Sequence, residues 1–188
     1  MQSTDAMNTE DVLEVAREYA DDRDIDDVVV ASTSGETGAA AASVFDSEDR
    51  TLVAVGHSTG WDESNEQELE AEHVEAIEAA GGEVFVGPMV FSNIGAAIAE
   101  QNGFSSHELV ADVLRLFGQG TKVAVECVLM ACDAGLVDVD EEVLSIAGTG
   151  EGADTVLAIR SANSRDLFEA RVLDVVAKPT DPANLVYW

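Results

Sequence analysis

The sequence predicts a three-layer α/β/α sandwich built on a mainly parallel sheet with one antiparallel strand. Two observations carry this. Short apolar, β-branched runs such as Val28–Ala31 and Leu52–Val55 alternate with longer segments of helical apolar spacing. That is the pattern of strands whose crossover helices cover both faces of a sheet. In addition, the strands expected at Glu142–Ala147 and Asp154–Arg160 are joined by only the segment Gly148–Ala153. A parallel crossover needs about a dozen residues or more, so the second of these strands reads as antiparallel.

Taken in order, Met1 to Thr9 read as a flexible N-terminus, residues 10–178 as a single domain and 179–188 as a tail introduced by Pro179 and Pro182. Asn8 or Thr9 can cap a first helix over Glu10–Ala20, where Val12, Leu13, Val15, Ala16 and Tyr19 form an apolar stripe. Asp27–Thr33 is a buried strand, Gly38–Phe45 a short helix and Arg50–His57 a second strand. A charged helix follows from about Glu66 to Ala80 and stops at Gly81-Gly82. Glu83–Val86 is a third strand, and Ile94–Gln101 and His107–Phe117 are helical by their spacing. Val123–Ala134 is apolar on nearly all sides and reads as a buried helix ending at Gly135. Arg171–Ala177 is the last strand.

Composition narrows the partners. Thirty-eight acidic residues against 9 basic ones give a charge of −29, and Lys122 and Lys178 are the only lysines. The acids concentrate in segments that read as surface, among them Asp21–Asp24, Asp46–Asp49, Asp62–Glu72 and Asp138–Glu142. An acidic, lysine-poor coat resembles that of halophile proteins, because molar salt shortens the screening length to about 3 Å. No basic patch exists to meet phosphates, which excludes nucleic acid and anionic membranes as expected partners. No signal-like or membrane-length apolar run occurs, so a cytoplasmic location is expected. Cys127 and Cys132 lie about 140° apart on one helix and read as core. The three histidines lack zinc-ligand spacing, and no metal is expected.

The functional signal is an asymmetry between the two edges of the sheet. The loops expected to leave the carboxyl ends of the first four strands are rich in glycine and hydroxyls: Ser32-Thr33-Ser34-Gly35-Glu36-Thr37, Gly56-His57-Ser58-Thr59-Gly60-Trp61, Gly87–Asn93 and Gly148-Thr149-Gly150-Glu151-Gly152. Gly118-Gln119-Gly120-Thr121-Lys122 opens the buried helix at the same edge. Loops on the opposite edge are acidic and nearly free of glycine. Ligands of parallel sheets settle beyond the carboxyl ends of the strands, where helix N-termini offer unpaired N–H groups to an anion. Lys122 sits in the first turn of its helix, where the dipole disfavours a cation; a bound phosphate or an i,i+4 pair with Glu126 would each compensate. Trp61 reads either as a surface-packed aromatic or as a ring stacked on a flat ligand, and His57 as a structural hydrogen-bonding group or a proton-transfer group. No loop fits GxxxxGK[ST], and no GxGxxG with its acidic partner is present.

The stretches VVVASTSGETG, LVAVGHSTGW, VFVGPMVFSNIGAAI, FGQGTKVAVECVLMACDAGLV and SIAGTGEGADTVLAI, from about Val28 to Ile159, resemble the small free-standing archaeal and bacterial proteins that are similar to the C-terminal α/β domain of pyruvate kinase. The resemblance implies phosphate contacts at Ser32, Thr33, Ser34, Gly35 and Thr37, with the Gly148–Ala153 turn beside the same ligand. It implies flavin mononucleotide as the cofactor. His57, Ser58, Thr59, Gly60, Gly118, Gln119, Gly120, Thr121, Lys122, Gly148, Thr149 and Gly150 complete the expected site. The catalytic barrel of pyruvate kinase is not in these residues, so that activity is not expected. Glu36 stands where pyruvate kinases often carry a basic or polar residue, which disfavours a doubly phosphorylated sugar. Three readings follow: a flavin-binding protein that could act as a redox enzyme, a non-catalytic sensor of a phosphorylated metabolite, and a homo-oligomer whose glycine edge binds no ligand. No nucleophile or acid–base pair stands out.

Overall fold

The computed structural model describes residues 1–45 and 50–185. The acidic stretch Asp46–Asp49 and the last three residues of the expected tail lie outside the described residues. The elements run β1 (Gln2–Ser3), α1 (Thr9–Arg23), β2 (Asp27–Ala31), α2 (Glu36–Val44), β3 (Thr51–Gly56), α3 (Ala71–Ala79), β4 (Glu83–Val86), α4 (Asn93–Asn102), α5 (Ser106–Arg115), α6 (Gln119–Asp133), β5 (Glu142–Ala147), β6 (Thr155–Arg160), a 3₁₀ segment (Ser164–Glu169) and β7 (Arg171–Lys178). Among the described residues no helix is long and apolar enough to cross a membrane.

The seven strands form one sheet in the order β1-β7-β6-β5-β2-β3-β4. All neighbours are parallel except around β6, which runs antiparallel to both β5 and β7. This is the reversed strand that the short Gly148–Ala153 connection predicts. Period-2 alternation divides the core. Val28, Val30, Leu144 and Ile146 pack with Leu13, Ala16, Ala41 and Ile77 of α1, α2 and α3. Val29, Val53, Val143, Leu157 and Ile159 pack with Ala124, Val128, Leu129 and Ala131 of α6 on the other face. Helix α6 is buried on nearly all sides because α5 and the 3₁₀ segment cover its outer surface.

Three expectations are corrected. The N-terminus is not loose: Gln2 and Ser3 pair in parallel with Ala177 and Lys178, and Thr4 donates its hydroxyl to Asp154 O at 2.7 Å. The Asp5 carboxylate then accepts the amides of Thr180 and Asp181 at 3.1 Å, which ties down the start of the expected tail. These contacts use backbone and short polar groups, so they leave no apolar period to read. Helix α3 starts at Ala71 rather than near Glu66, because Leu69 is held in an extended segment against Gly56; a Cβ there would lie 2.7 Å from Leu69 Cδ1. Strand β2 stops at Ala31, two residues early, since Ser32 already turns toward α2. Its amide donates to Val55 O at 2.9 Å, and its hydroxyl accepts Gly38 N at 2.9 Å.

Candidate functional site

A crevice of about 860 Å³ opens at the carboxyl edge of the sheet. The first wall is the turn between β2 and α2. Gly35, the residue that caps α2, has φ +97° and makes no side-chain cap. The amides of Thr33, Ser34, Gly35 and Thr37 have no acceptor among the described residues. Successive free N–H groups at a helix N-terminus make an anion-binding concavity. The turn is braced from outside. Ser34 O accepts Glu70 N at 2.9 Å and His73 Nδ1 at 3.0 Å. A carbonyl can only accept, so Nδ1 carries the proton on His73. A Cβ on Gly35 would come within 2.5 Å of His73 Cβ, so glycine is required there both for its backbone and for this close approach.

The second wall follows β3. His57 Nδ1 lies 2.9 Å from Glu68 Oε2, and the His57 ring meets Trp61 with centroids 5.4 Å apart at 53°. Gln67 Nε2 donates to His57 O and to Thr59 Oγ1, and Gly60 N donates to Glu66 O at 2.8 Å. His57 and Trp61 line the crevice; Ser58, Thr59 and Gly60 do not. They shape the loop instead, with Ser58 Oγ accepting Asn93 Nδ2 at 2.9 Å.

The floor is apolar: Ala31, which ends β2, and Val55, one residue before the end of β3, are joined there by Met89, Val123, Cys127 and Met130. Burial, with the Glu126 charge adding to it, pushes the Cys127 thiol up to about 12, so it stays protonated and is no nucleophile. From α6, Gln119 lines the crevice, whereas Gly118, Gly120, Thr121 and Lys122 lie behind it. Gly120 serves packing: a Cβ would fall 2.2 Å from Thr155 Oγ1 and 2.7 Å from Asp154 Oδ1. Asp154 Oδ1 thus lies close to the first turn of α6 and accepts the Thr155 hydroxyl at 2.6 Å. Gly148 and Gly150 line the crevice and Thr149 does not.

Lys122 resolves in favour of the internal partner. It is 3% exposed, ion-paired with Glu126 and donates to Ser92 Oγ at 2.7 Å. The Glu126 carboxylate, which lines the crevice, also accepts the amides of Phe91 at 2.6 Å and Ser92 at 3.2 Å, at the start of α4. One helix side chain thus caps another helix and is neutralised by a lysine one turn away.

Sequence reasoning missed Arg115. It lines the crevice from the end of α5, held by Asp112 at 2.8 Å and Gln119 Oε1 at 2.9 Å. Nothing in the α5 sequence says which side docks against α6. Besides Arg115, the charged lining is acidic: Glu36, Glu68, Glu108, Glu126 and Glu151. The ligand atoms of Glu70, Glu72 and His73 also lie within 4.8 Å of one another beside the Ser34 turn, a proximity that linear spacing does not reveal.

No protein-family profile matches the chain. Among solved structures it is similar to Cryptosporidium parvum pyruvate kinase in complex with ADP, at 13% identity and a TM-score of 0.44, over 84% of this chain and 24% of that one. Another pyruvate kinase structure from C. parvum aligns at 12% identity and a TM-score of 0.42, over 84% and 23%. O-ureido-L-serine synthase aligns at 22% identity and a TM-score of 0.32, over 68% of this chain and 48% of that one. The chain spans about a quarter of the pyruvate kinase chains it matches. With scores below 0.5, the architecture rests on the topology described above.

Proposed function

We propose that the protein binds a phosphate-bearing small molecule in this crevice, and that the molecule is flavin mononucleotide. The observation that carries the reading is the set of four amides without acceptors, Thr33, Ser34, Gly35 and Thr37, at the start of α2 and beside an apolar floor. A single phosphate suits those amides and the hydroxyls of Thr33, Ser34 and Thr37. A flat ring suits Met89, Val123 and Met130, with Trp61 and His57 at one side. The residues present therefore fit this cofactor. They fit a bisphosphate poorly, because Arg115 faces five glutamates in the lining. A small phosphorylated metabolite would satisfy the turn but leave the apolar floor wet, which ranks the sensor reading second.

Bound flavin would supply electron-transfer chemistry. The chain's own residues hold the phosphate, keep water from the floor and present His57, hydrogen-bonded to Glu68, at the rim. The family resemblance and the halophile-like coat belong to this same proposal, as does a cytoplasmic location, where two buried free cysteines stay reduced.

The test is to load the protein with flavin mononucleotide in molar KCl, desalt it and record visible absorbance. Flavin bands that stay with the wild type and are lost in Ser34→Glu support the reading. A colourless wild type removes flavin, and thermal-shift measurements with phosphorylated metabolites then decide for or against the second reading.

A further inference from the structure

We propose that Thr9 is a positioning residue for the ligand, fixing the turn between β5 and β6 that forms one wall of the crevice, an inference that rests on reading the crevice as a binding site. Of that turn, Gly148, Gly150, Glu151 and Gly152 line the crevice. Nothing within it holds its shape. Among the described residues no hydrogen bond reaches Gly148, Thr149, Gly150, Glu151 or Gly152. Its glycines leave the backbone wide conformational freedom. Gly150 and Gly152 take φ +83° and +71°, and the tip at Gly150 has open space around it.

Order comes from the limb that follows and from the start of the chain. Asp154 N donates to Ala147 O at 2.9 Å, which closes the base of the turn. Ala153 N donates to Thr9 Oγ1 at 3.2 Å, and the Thr4 hydroxyl donates to Asp154 O at 2.7 Å. Two consecutive residues of the limb are thus tied to residues 144 and 150 positions earlier. The fit is close: a Cβ on Gly152 would lie 2.4 Å from Thr9 Oγ1, and one on Gly148 would lie 2.3 Å from Gly152 O. Thr9 therefore abuts Gly152 and Gly152 abuts Gly148, and both glycines line the crevice while Thr9 does not. Thr9 is itself held. It is the first residue of α1, which Val12, Leu13 and Ala16 bury in the core. Its hydroxyl is not needed as a cap, because Asn8 Oδ1 already accepts Asp11 N at 2.9 Å. Behind it, Thr4 is 5% exposed and follows the pairing of β1 with β7. A glycine turn already held in place costs less to order when a ligand binds, so a hydroxyl outside the crevice contributes to affinity within it.

Two variants test this in molar KCl: Thr9→Val removes the acceptor and keeps the branched shape, and Thr9→Ser keeps the acceptor. Amide hydrogen exchange of the ligand-free protein reads the brace directly. In Thr9→Val the Ala153 amide should exchange about 10-fold faster while β2 and β5 stay as protected as in the wild type. Equilibrium dialysis with flavin mononucleotide reads the consequence, a dissociation constant about 5-fold higher in Thr9→Val. Thr9→Ser should match the wild type in both measurements. A role in stability alone would lower the urea midpoint of Thr9→Val and leave its dissociation constant where it was. The proposal is overturned by unchanged exchange at Ala153, by protection lost across β2 and β5 as well, or by Thr9→Val binding as tightly as the wild type. A wild type that binds neither flavin mononucleotide nor inorganic phosphate overturns the reading of the crevice, and this inference with it.

Discussion

Replacing Lys122 by methionine keeps the apolar stem and removes only the charge, which isolates the buried pair with Glu126. Both partners are 3% exposed, so the carboxylate left behind is largely desolvated where it lies. Stranding one member of such a pair costs about 3–5 kcal/mol. Two effects pull the value toward the lower end. Glu126 retains the amides of Phe91 and Ser92 as donors, and removing a cation from the first turn of α6 relieves an unfavourable dipole contact of about 0.5 kcal/mol. The expected loss is therefore about 3 kcal/mol, a large fraction of the roughly 5–15 kcal/mol that holds a domain together. Urea unfolding in molar KCl, followed by helical circular dichroism, measures it. The decisive variant is Lys122→Met/Glu126→Gln, in which no charge is stranded and the amide oxygen of Gln still accepts from the α4 start. It should be more stable than Lys122→Met alone by about 2 kcal/mol. A single substitution costing under about 1 kcal/mol, or a double variant no better than the single, would refute the reasoning.

Gly35→Ala combines left-handed strain of about 1–2 kcal/mol with an overlap on His73 Cβ worth about 1–3 kcal/mol; Gly103→Ala, at φ +70° with open space around it, should cost only about the strain, and equal losses from the two would show that the His73 contact is absent. The Cys127 thiol, raised in the fold, stays protonated while the unfolded thiol ionises, so unfolding releases a proton above about pH 9 and stability falls with rising pH by up to about 1.4 kcal/mol per unit; Cys127→Ala should remove that share of the slope in alkaline urea titrations. Asp5 is held well below the usual carboxylate range by the hydroxyls of Ser3 and Thr180 and the Asn184 amide, so its clamp is intact above pH 4 and weakens as acid protonates it. Asp5→Ala should speed hydrogen exchange at Thr4 and Thr180 at neutral pH and leave β2 and β5 protected.

The strands β2, β3, β5 and β6 were readable because each is a buried apolar run ended by glycine or a hydroxyl cluster, and chain connectivity alone reversed β6. What the sequence hides depends on contacts across long sequence distances. Helix α3 starts late because Leu69 seats against Gly56, thirteen positions earlier in a different element. Lys122 had two reasonable partners by spacing, and the amides of Phe91 and Ser92, arriving from another loop, are what fix Glu126 beside it. Several glycines of the carboxyl edge read, by sequence, as room for a ligand, yet Gly35, Gly38, Gly56 and Gly120 each accommodate a side chain of the protein itself. The edge asymmetry still located the crevice, because helix termini and strand ends converge there in any sheet of this connectivity. Arg115 was invisible for the opposite reason: its helix is amphipathic, and only docking decides which polar flank meets the site.

The pairing of β1 with β7 has a consequence for how the chain is made. Asp5 and Thr180 are 175 positions apart, so the first strand emerges from the ribosome long before its neighbour exists. At about 5–20 residues per second, synthesis leaves Gln2 and Ser3 waiting roughly ten to forty seconds. Everything between β2 and β5 can assemble in that interval, whereas the β1 edge must close after the final strand appears. Closing that edge thus joins residues synthesised 175 positions apart, and a ribosome stalled anywhere before Lys178 leaves the sheet open on that side.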